Sequence, residues 1–147
     1  MAHSFNPPDI WQPFGAFSQA VVGGPGYTIY VKGQVALDPR GTIVGEDDMR
    51  AQVRQVLENV AAILAAAGGR MSDIVSIQQF TTDIQAFMQC GDIRAAHFNA
   101  PFPVTTTLEV SALYDPGLMV EMTCIAEIPL DRFERPGNAI EMHQISL

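Results

Sequence analysis

Residues 101–128 read PFPVTTTLEVSALYDPGLMVEMTCIAEI, two alternating runs around a Pro116-Gly117 turn. In the first run Thr105, Thr107 and Glu109 alternate with Val104, Thr106, Leu108 and Val110; in the second, Glu121, Thr123 and Glu127 alternate with Val120, Met122, Cys124 and Ala126. Successive side chains of a strand point to opposite faces, so a period of two predicts two half-buried strands joined as a hairpin. Each run puts more acids and hydroxyls on one face than a purely structural strand needs. A functional site is therefore expected on this hairpin.

Working outward, residues 83–98 place Ile84, Phe87, Met88, Ile93, Ala96 and, less regularly, Phe98 for burial on a helix that Pro101 and Pro103 end. Residues 74–82 are rich in β-branched side chains and too short for a good helix, which predicts a strand. The clearest element is a helix over 48–67, opened by Glu46-Asp47-Asp48 and stopped by Gly68-Gly69. Val53, Val56, Leu57, Val60, Ile63, Leu64 and Ala67 give it one apolar stripe. A strand, this helix and the 74–82 strand form a crossover unit whose strands run parallel.

Strands are expected at 17–22 and 27–33 around Gly23-Gly24-Pro25-Gly26, followed by an extended segment, 34–45, with a turn at Asp38-Pro39-Arg40-Gly41. Residues 1–15 hold Pro7, Pro8, Pro13 and Gly15, which favour an extended arm lying on another surface. Pro129, Pro136 and Gly137 make 129–147 an irregular tail, with a short strand at 141–145. The order ββαβαββ predicts one α+β domain over 1–147, with two helices on one face of a mixed sheet.

With 147 residues, 48% of them hydrophobic, the chain can build a real core. No apolar run approaches a membrane span, and the start Met-Ala-His-Ser-Phe-Asn-Pro-Pro lacks the features of a signal peptide, so a cytoplasmic location is expected. Cys90 and Cys124 fall in a helix and a buried strand and are expected to be free thiols. Neither they nor His3, His97 and His143 show metal-ligand spacing, and no metal or cofactor is expected. The net charge of −8, with the bases scattered, argues against nucleic acid as a partner. Only 16% of residues are charged, a deficit that points to surface buried between subunits.

A further set of segments carries a resemblance: Gly15-Ala16-Phe17-Ser18-Gln19-Ala20, Val31-Lys32-Gly33-Gln34-Val35, Ala51-Gln52 through Val56-Leu57-Glu58-Asn59-Val60, Ala66-Ala67-Gly68, Ile74-Val75, Thr82-Asp83, Phe98, Pro103 and Val120-Glu121 to Ala126. In order and spacing, from about residue 7 to 128, they resemble the reactive intermediate deaminase family, known as RidA or YjgF and formerly as endoribonuclease L-PSP. The resemblance implies a chorismate-mutase-like subunit in a homotrimer with a central barrel and ligand clefts between subunits. It also implies hydrolysis of enamines and imines such as 2-aminoacrylate to a 2-oxo acid and ammonia.

The family motif places an arginine that clamps the substrate carboxylate two residues after the proline of the penultimate strand. Here Pro103-Val104-Thr105-Thr106 puts Thr105 at that position. A guanidinium–carboxylate contact contributes about 1.5–3 kcal/mol and a neutral hydroxyl about 1, so a small 2-imino acid loses roughly tenfold in affinity or more. Three other family positions differ: an Asn of the second helix matches Gly91, the Ser before Gly-Gln is Lys32, and the Tyr of the first strand is Phe17. Gly33 and the glutamate of the last strand, Glu121, are retained.

These residues define the candidate site. Glu121 is expected to hold or activate the attacking water; a strand glutamate paired across a subunit interface is the plainer role. Thr105 and Thr107 offer hydroxyls to a ligand oxygen, or are simply β-branched strand residues. Lys32 and Arg94 are the cations able to replace the missing arginine, against a solvated strand end and a solvent-facing helix side. Gly33 serves close backbone approach to a ligand or a strand, and Phe17 with Trp11 walls the cleft or packs a seam. His97 suits a helix surface or a satisfied core site, and His143 has no assignable role. The function expected is hydrolysis of an imine, enamine or related unsaturated carbonyl compound, less dependent on a carboxylate clamp than in arginine-bearing members. A non-catalytic small-molecule or protein binder of the same fold is the alternative, and ribonuclease activity is disfavoured by the acidic charge.

Overall fold

The computed structural model describes residues 2–137. In chain order its elements are β1 (His3–Phe5), β2 (Ala20–Val22), β3 (Tyr27–Val35), α1 (Met49–Ala65), β4 (Ile74–Thr81), α2 (Ile84–Met88), α3 (Gly91–His97), β5 (Val104–Glu109) and β6 (Val120–Ile128). The main sheet has the order β3-β6-β4-β5, with β6 antiparallel to both neighbours and β4 parallel to β5. The helices cover one face of it, giving the expected α+β architecture with a mixed sheet.

The alternation read in 120–128 is complete. Val120, Met122, Cys124, Ala126 and Ile128 are buried toward the helices while Glu121, Thr123, Ile125 and Glu127 are half-buried on the other face. Each fully buried aliphatic side chain contributes about 1.5–3 kcal/mol, which fixes the register of this central strand. The hairpin, however, does not form: β4 lies between β5 and β6. Residues 110–119 are long enough to step over a strand, and Gln52 of α1 holds them there. Its fully buried amide donates to Gly45 O at 3.0 Å and Gly117 O at 2.9 Å and accepts from Met119 N at 2.8 Å.

The crossover from β3 through α1 to β4 keeps its strands parallel, with β6 inserted between them. Helix α1 begins at the Asp48 cap, whose Oδ1 accepts from Ala51 N at 3.1 Å, and its chain reverses at Gly68, where φ is +77°. The stripe Val53, Val56, Leu57, Val60 and Leu64 is buried, but Ile63, 37% exposed, lies on its rim.

Three expectations at the local level are corrected. The single helix over 83–98 is two short ones, broken at Gln89-Cys90, where Gly91 disfavours continuation and Arg50 takes the freed Gln89 carbonyl at 3.4 Å. Met88, 55% exposed, and Ala96 are consequently not core residues. The strands at 17–22 and 27–33 do not form one unit: β2 is only Ala20–Val22 and pairs with β1 in a separate ribbon, His3 opposite Val22. That β1 strand precedes the prolines of the arm, which block pairing only from Pro7 onward.

The first part of the tail is anchored rather than loose. Arg132 donates to Asp73 Oδ2 at 3.0 Å and to Gly68 O at 3.1 Å, Glu134 N donates to Ala67 O at 3.0 Å, and Phe133 stacks on Tyr27 at 3.9 Å between ring centroids. The strand expected at 141–145 and His143 lie outside the described residues. Among the described residues no helix is long and apolar enough to cross a membrane.

Candidate functional site

The sheet register decides which polar residues meet. Thr105 pairs with Ile77 and Thr107 with Gln79, and those two β4 residues face the helices and are buried. Ile77 in turn pairs with Cys124, and Gln79 with Met122, the inward residues of β6. Thr105 and Thr107 therefore belong to the helix-covered face, whereas Glu121 belongs to the opposite one. The polar sides of the two runs thus lie on two different faces of the sheet. Parity of numbering does not carry across a strand that intervenes with its own register.

On the helix-covered side Thr105 and Thr107 line a cavity of about 550 Å³ with Phe17, Gly91 and Arg94. Ser18 N donates to Pro103 O at 2.9 Å, which ties the arm to the start of β5 and sets Phe17 beside Thr105. Trp11, Phe14 and Phe17 form one aromatic cluster, with centroids 5.9 Å apart for the Trp11–Phe14 and Trp11–Phe17 pairs and 5.2 Å for Phe14–Phe17. Gln19 fastens the arm to itself by donating from Nε2 to Trp11 O at 2.9 Å.

Arg94 enters this cavity from α3, its Cζ 5.7 Å from the centre of the Phe87 ring. Burial holds the guanidinium below the ordinary arginine range, and among the described residues its buried Nε has no acceptor and it makes no ion pair. The buried Thr105 Oγ1 has no partner either. Gln79 Nε2 donates to Thr107 Oγ1 at 2.8 Å, so the Thr107 hydroxyl accepts from below and keeps its own proton for a ligand. The cavity thus pairs an apolar aromatic wall with a donor set of guanidinium and hydroxyl groups. Such a set suits an oxyanion.

On the other side of the sheet, the register of β3 against β6 slips between Val31 and Gln34, which bulges Lys32 and Gly33. The Glu121 carboxylate lies over Gly33, where a Cβ would sit 2.9 Å from Glu121 Cδ and overlap the carboxylate oxygen. Here the glycine is needed for close approach to a side chain. Lys32 is exposed, and with Gly33 and Tyr114 it borders an open groove of about 540 Å³. The seven predicted site residues therefore fall into two groups: Phe17, Arg94, Thr105 and Thr107 around the cavity, and Lys32, Gly33 and Glu121 at the bulge.

Residues 9–128 match the family model described as endoribonuclease L-PSP. The chain belongs to this family, also called RidA/YjgF. A RutC family protein of Pyrococcus horikoshii is 32% identical over 115 residues, covering 78% of this chain and 89% of that protein. A 2-iminobutanoate/2-iminopropanoate deaminase of Dermatophagoides farinae is 32% identical over 102 residues, covering 69% of this chain and 78% of its own length. Among solved structures, a conserved Rid family protein of unknown function from Yersinia pestis superimposes with a TM-score of 0.78 at 30% identity, over 86% of this chain and 98% of that one.

Thr105, Gly91 and Phe17 all line the cavity, while Gly33 and Glu121 sit together at the bulge. Sequence reasoning missed Gln79 and Phe14. Gln79 had a signal: it shares strand parity with buried Ile77, so a polar side chain on the core face of a central strand had to serve a partner. Phe14 carried none, since its place depends on how the proline-rich arm folds back.

Proposed function

We propose that the protein hydrolyses a small imine or enamine bearing an anionic group, with Arg94, Thr105 and Thr107 binding that group and Glu121 of a neighbouring subunit in a homotrimer directing the water. The observation that carries this reading is that one cavity holds a desolvated Arg94 and a Thr105 hydroxyl, neither of them partnered among the described residues. Arg94 supplies from a helix the charge that the family arginine supplies from the strand. The name of the Dermatophagoides farinae relative supports the reaction class.

In the reaction, protonation of the substrate nitrogen makes the C=N carbon electrophilic. Water adds to that carbon as Glu121 accepts its proton, giving a carbinolamine. The carboxylic acid so formed returns the proton to nitrogen, the C–N bond breaks as the Glu121 carboxylate takes the proton of the carbinolamine hydroxyl, and the products are a carbonyl compound and ammonia. A neighbouring subunit is required because cavity and Glu121 occupy opposite faces of one chain's sheet. The Glu121 face also carries exposed Tyr30 and Leu108, apolar surface that supports burial between subunits.

The test is ammonia release from 2-aminoacrylate and from imines of neutral and hydrophobic amino acids generated in situ. Rates above the protein-free background are expected, and E121Q should abolish them while light scattering still shows a trimer. A monomer, or unchanged activity in E121Q, overturns the proposal. Ligand binding without turnover of any imine would instead favour the binding-only reading, which has support of its own: a single chain already holds the complete donor set.

A further inference from the structure

We infer that the cavity selects 2-imino acids, and their 2-oxo acid products, that carry an aromatic side chain. This rests on the proposed anion-binding role of Arg94 and goes on to the rest of the substrate. The polar side chains lining the cavity are Arg94, Thr105 and Thr107. Its apolar lining is the ring cluster of Trp11, Phe14 and Phe17, extended by Met88.

Within one chain this wall is open. Phe14 is 83% exposed and Trp11 61% exposed, although hydrogen bonds and ring contacts hold both in a defined cluster. Large rings in a fixed arrangement beside a cavity gain by covering apolar surface on a ligand. A methyl-bearing substrate with its carboxylate at Arg94 leaves those rings wet. A benzyl group on the same carbon offers those rings apolar area to cover. No side chain lining the cavity other than Arg94 and the two threonines, Thr105 and Thr107, asks for a second charge or a hydroxyl, which sets the preference at aromatic rather than polar side chains.

The probes are phenylpyruvate, pyruvate and the neutral 3-phenylpropanol, titrated by calorimetry and by the fluorescence of Trp11, the one tryptophan of the chain. Phenylpyruvate is expected to bind at least about tenfold more tightly than pyruvate, from the added apolar area alone, and to change Trp11 emission where pyruvate does not. F14A should shrink the phenylpyruvate-to-pyruvate ratio, and R94Q should weaken both acids while leaving the alcohol unchanged. Equal affinity for the two acids, or no binding of either, overturns the inference. Selective binding of phenylpyruvate with no imine hydrolysed would leave it standing and remove the hydrolase reading. Hydrolysis of the alanine-derived imine with no preference for phenylpyruvate would do the reverse.

Discussion

Replacing Arg94 by Met separates the stability of this protein from its proposed function, because the two should move in opposite directions. Arg94 Nε is buried without an acceptor, and leaving such a group unmet costs about 1–3 kcal/mol. The face of Phe87, 5.7 Å from Cζ, returns roughly 0.5–1 kcal/mol as a cation–π contact. Met keeps the length and apolar volume of the stem, so R94M is expected to stabilise the unliganded protein by about 0.5–2 kcal/mol, or a few degrees in Tm. Ligand binding should suffer, since a charge-assisted contact of about 1.5–3 kcal/mol is removed, a loss of roughly 10- to 150-fold in affinity for phenylpyruvate. Urea unfolding at a fixed protomer concentration and calorimetric titration measure the two sides. If R94M were destabilised by more than 1 kcal/mol and bound phenylpyruvate as before, Arg94 would be a structural residue and the anion site would have to be abandoned.

Gln52 tests the scaffold: Q52L leaves Gly45 O, Gly117 O and Met119 N without their partner and should lower stability by about 3 kcal/mol or more in urea titrations. At the bulge, G33A collides with the far end of a flexible side chain, so stability should change by less than about 1 kcal/mol while the Glu121 carboxylate is pushed aside. Ammonia release should then fall by about 100-fold, and an unchanged rate would detach Glu121 from the chemistry. Burial pushes the Cys124 thiol up to about 12, so it remains protonated throughout the neutral range and becomes a thiolate only well above pH 9. A disulfide-exchange reagent at pH 8 should leave Cys124 unmodified in the folded protein and label it once denaturant is added.

Much of the fold was written in local patterns. The alternation at 120–128 and the stripe of α1 are set by burial on one face, and burial acts on each residue where it stands. Pairing partners were not legible, since a Pro-Gly turn says that the chain reverses and not which strand it reverses beside. The neighbour of β5 is settled by the parallel return through α2 and α3 and by Gln52 gripping the 117–119 segment, both long-range effects. The same gap hid that Thr105 and Glu121 lie on opposite faces of the sheet. Both buried glutamines did leave a trace: Gln52 follows buried Met49 by three and precedes buried Val56 by four on α1, and Gln79 sits two residues from Ile77 on β4. A polar residue in an apolar register marks a hydrogen bond that the local pattern cannot identify.

The division between the two groups of site residues bears on how the family chemistry would change. On the proposed reading, water activation depends on Glu121 and on the absence of a side chain at Gly33, which lie together on one face. Substrate binding then depends on the cavity on the other face, lined by Thr105, Gly91 and Phe17 where the family resemblance implies an arginine, an asparagine and a tyrosine. A guanidinium at Thr105 and another at Arg94 would face the same cavity, and two unpaired cations there would repel each other in a poorly solvated space. Thr105 in the place of the strand arginine that the resemblance implies, and the presence of the helix arginine, are therefore mutually consistent. Gly91, one turn before Arg94 on α3, lines the same cavity and has open space around it. On the proposed reading the three departures are one adjustment: the anion site is moved from strand to helix, and the strand side is left with hydroxyls.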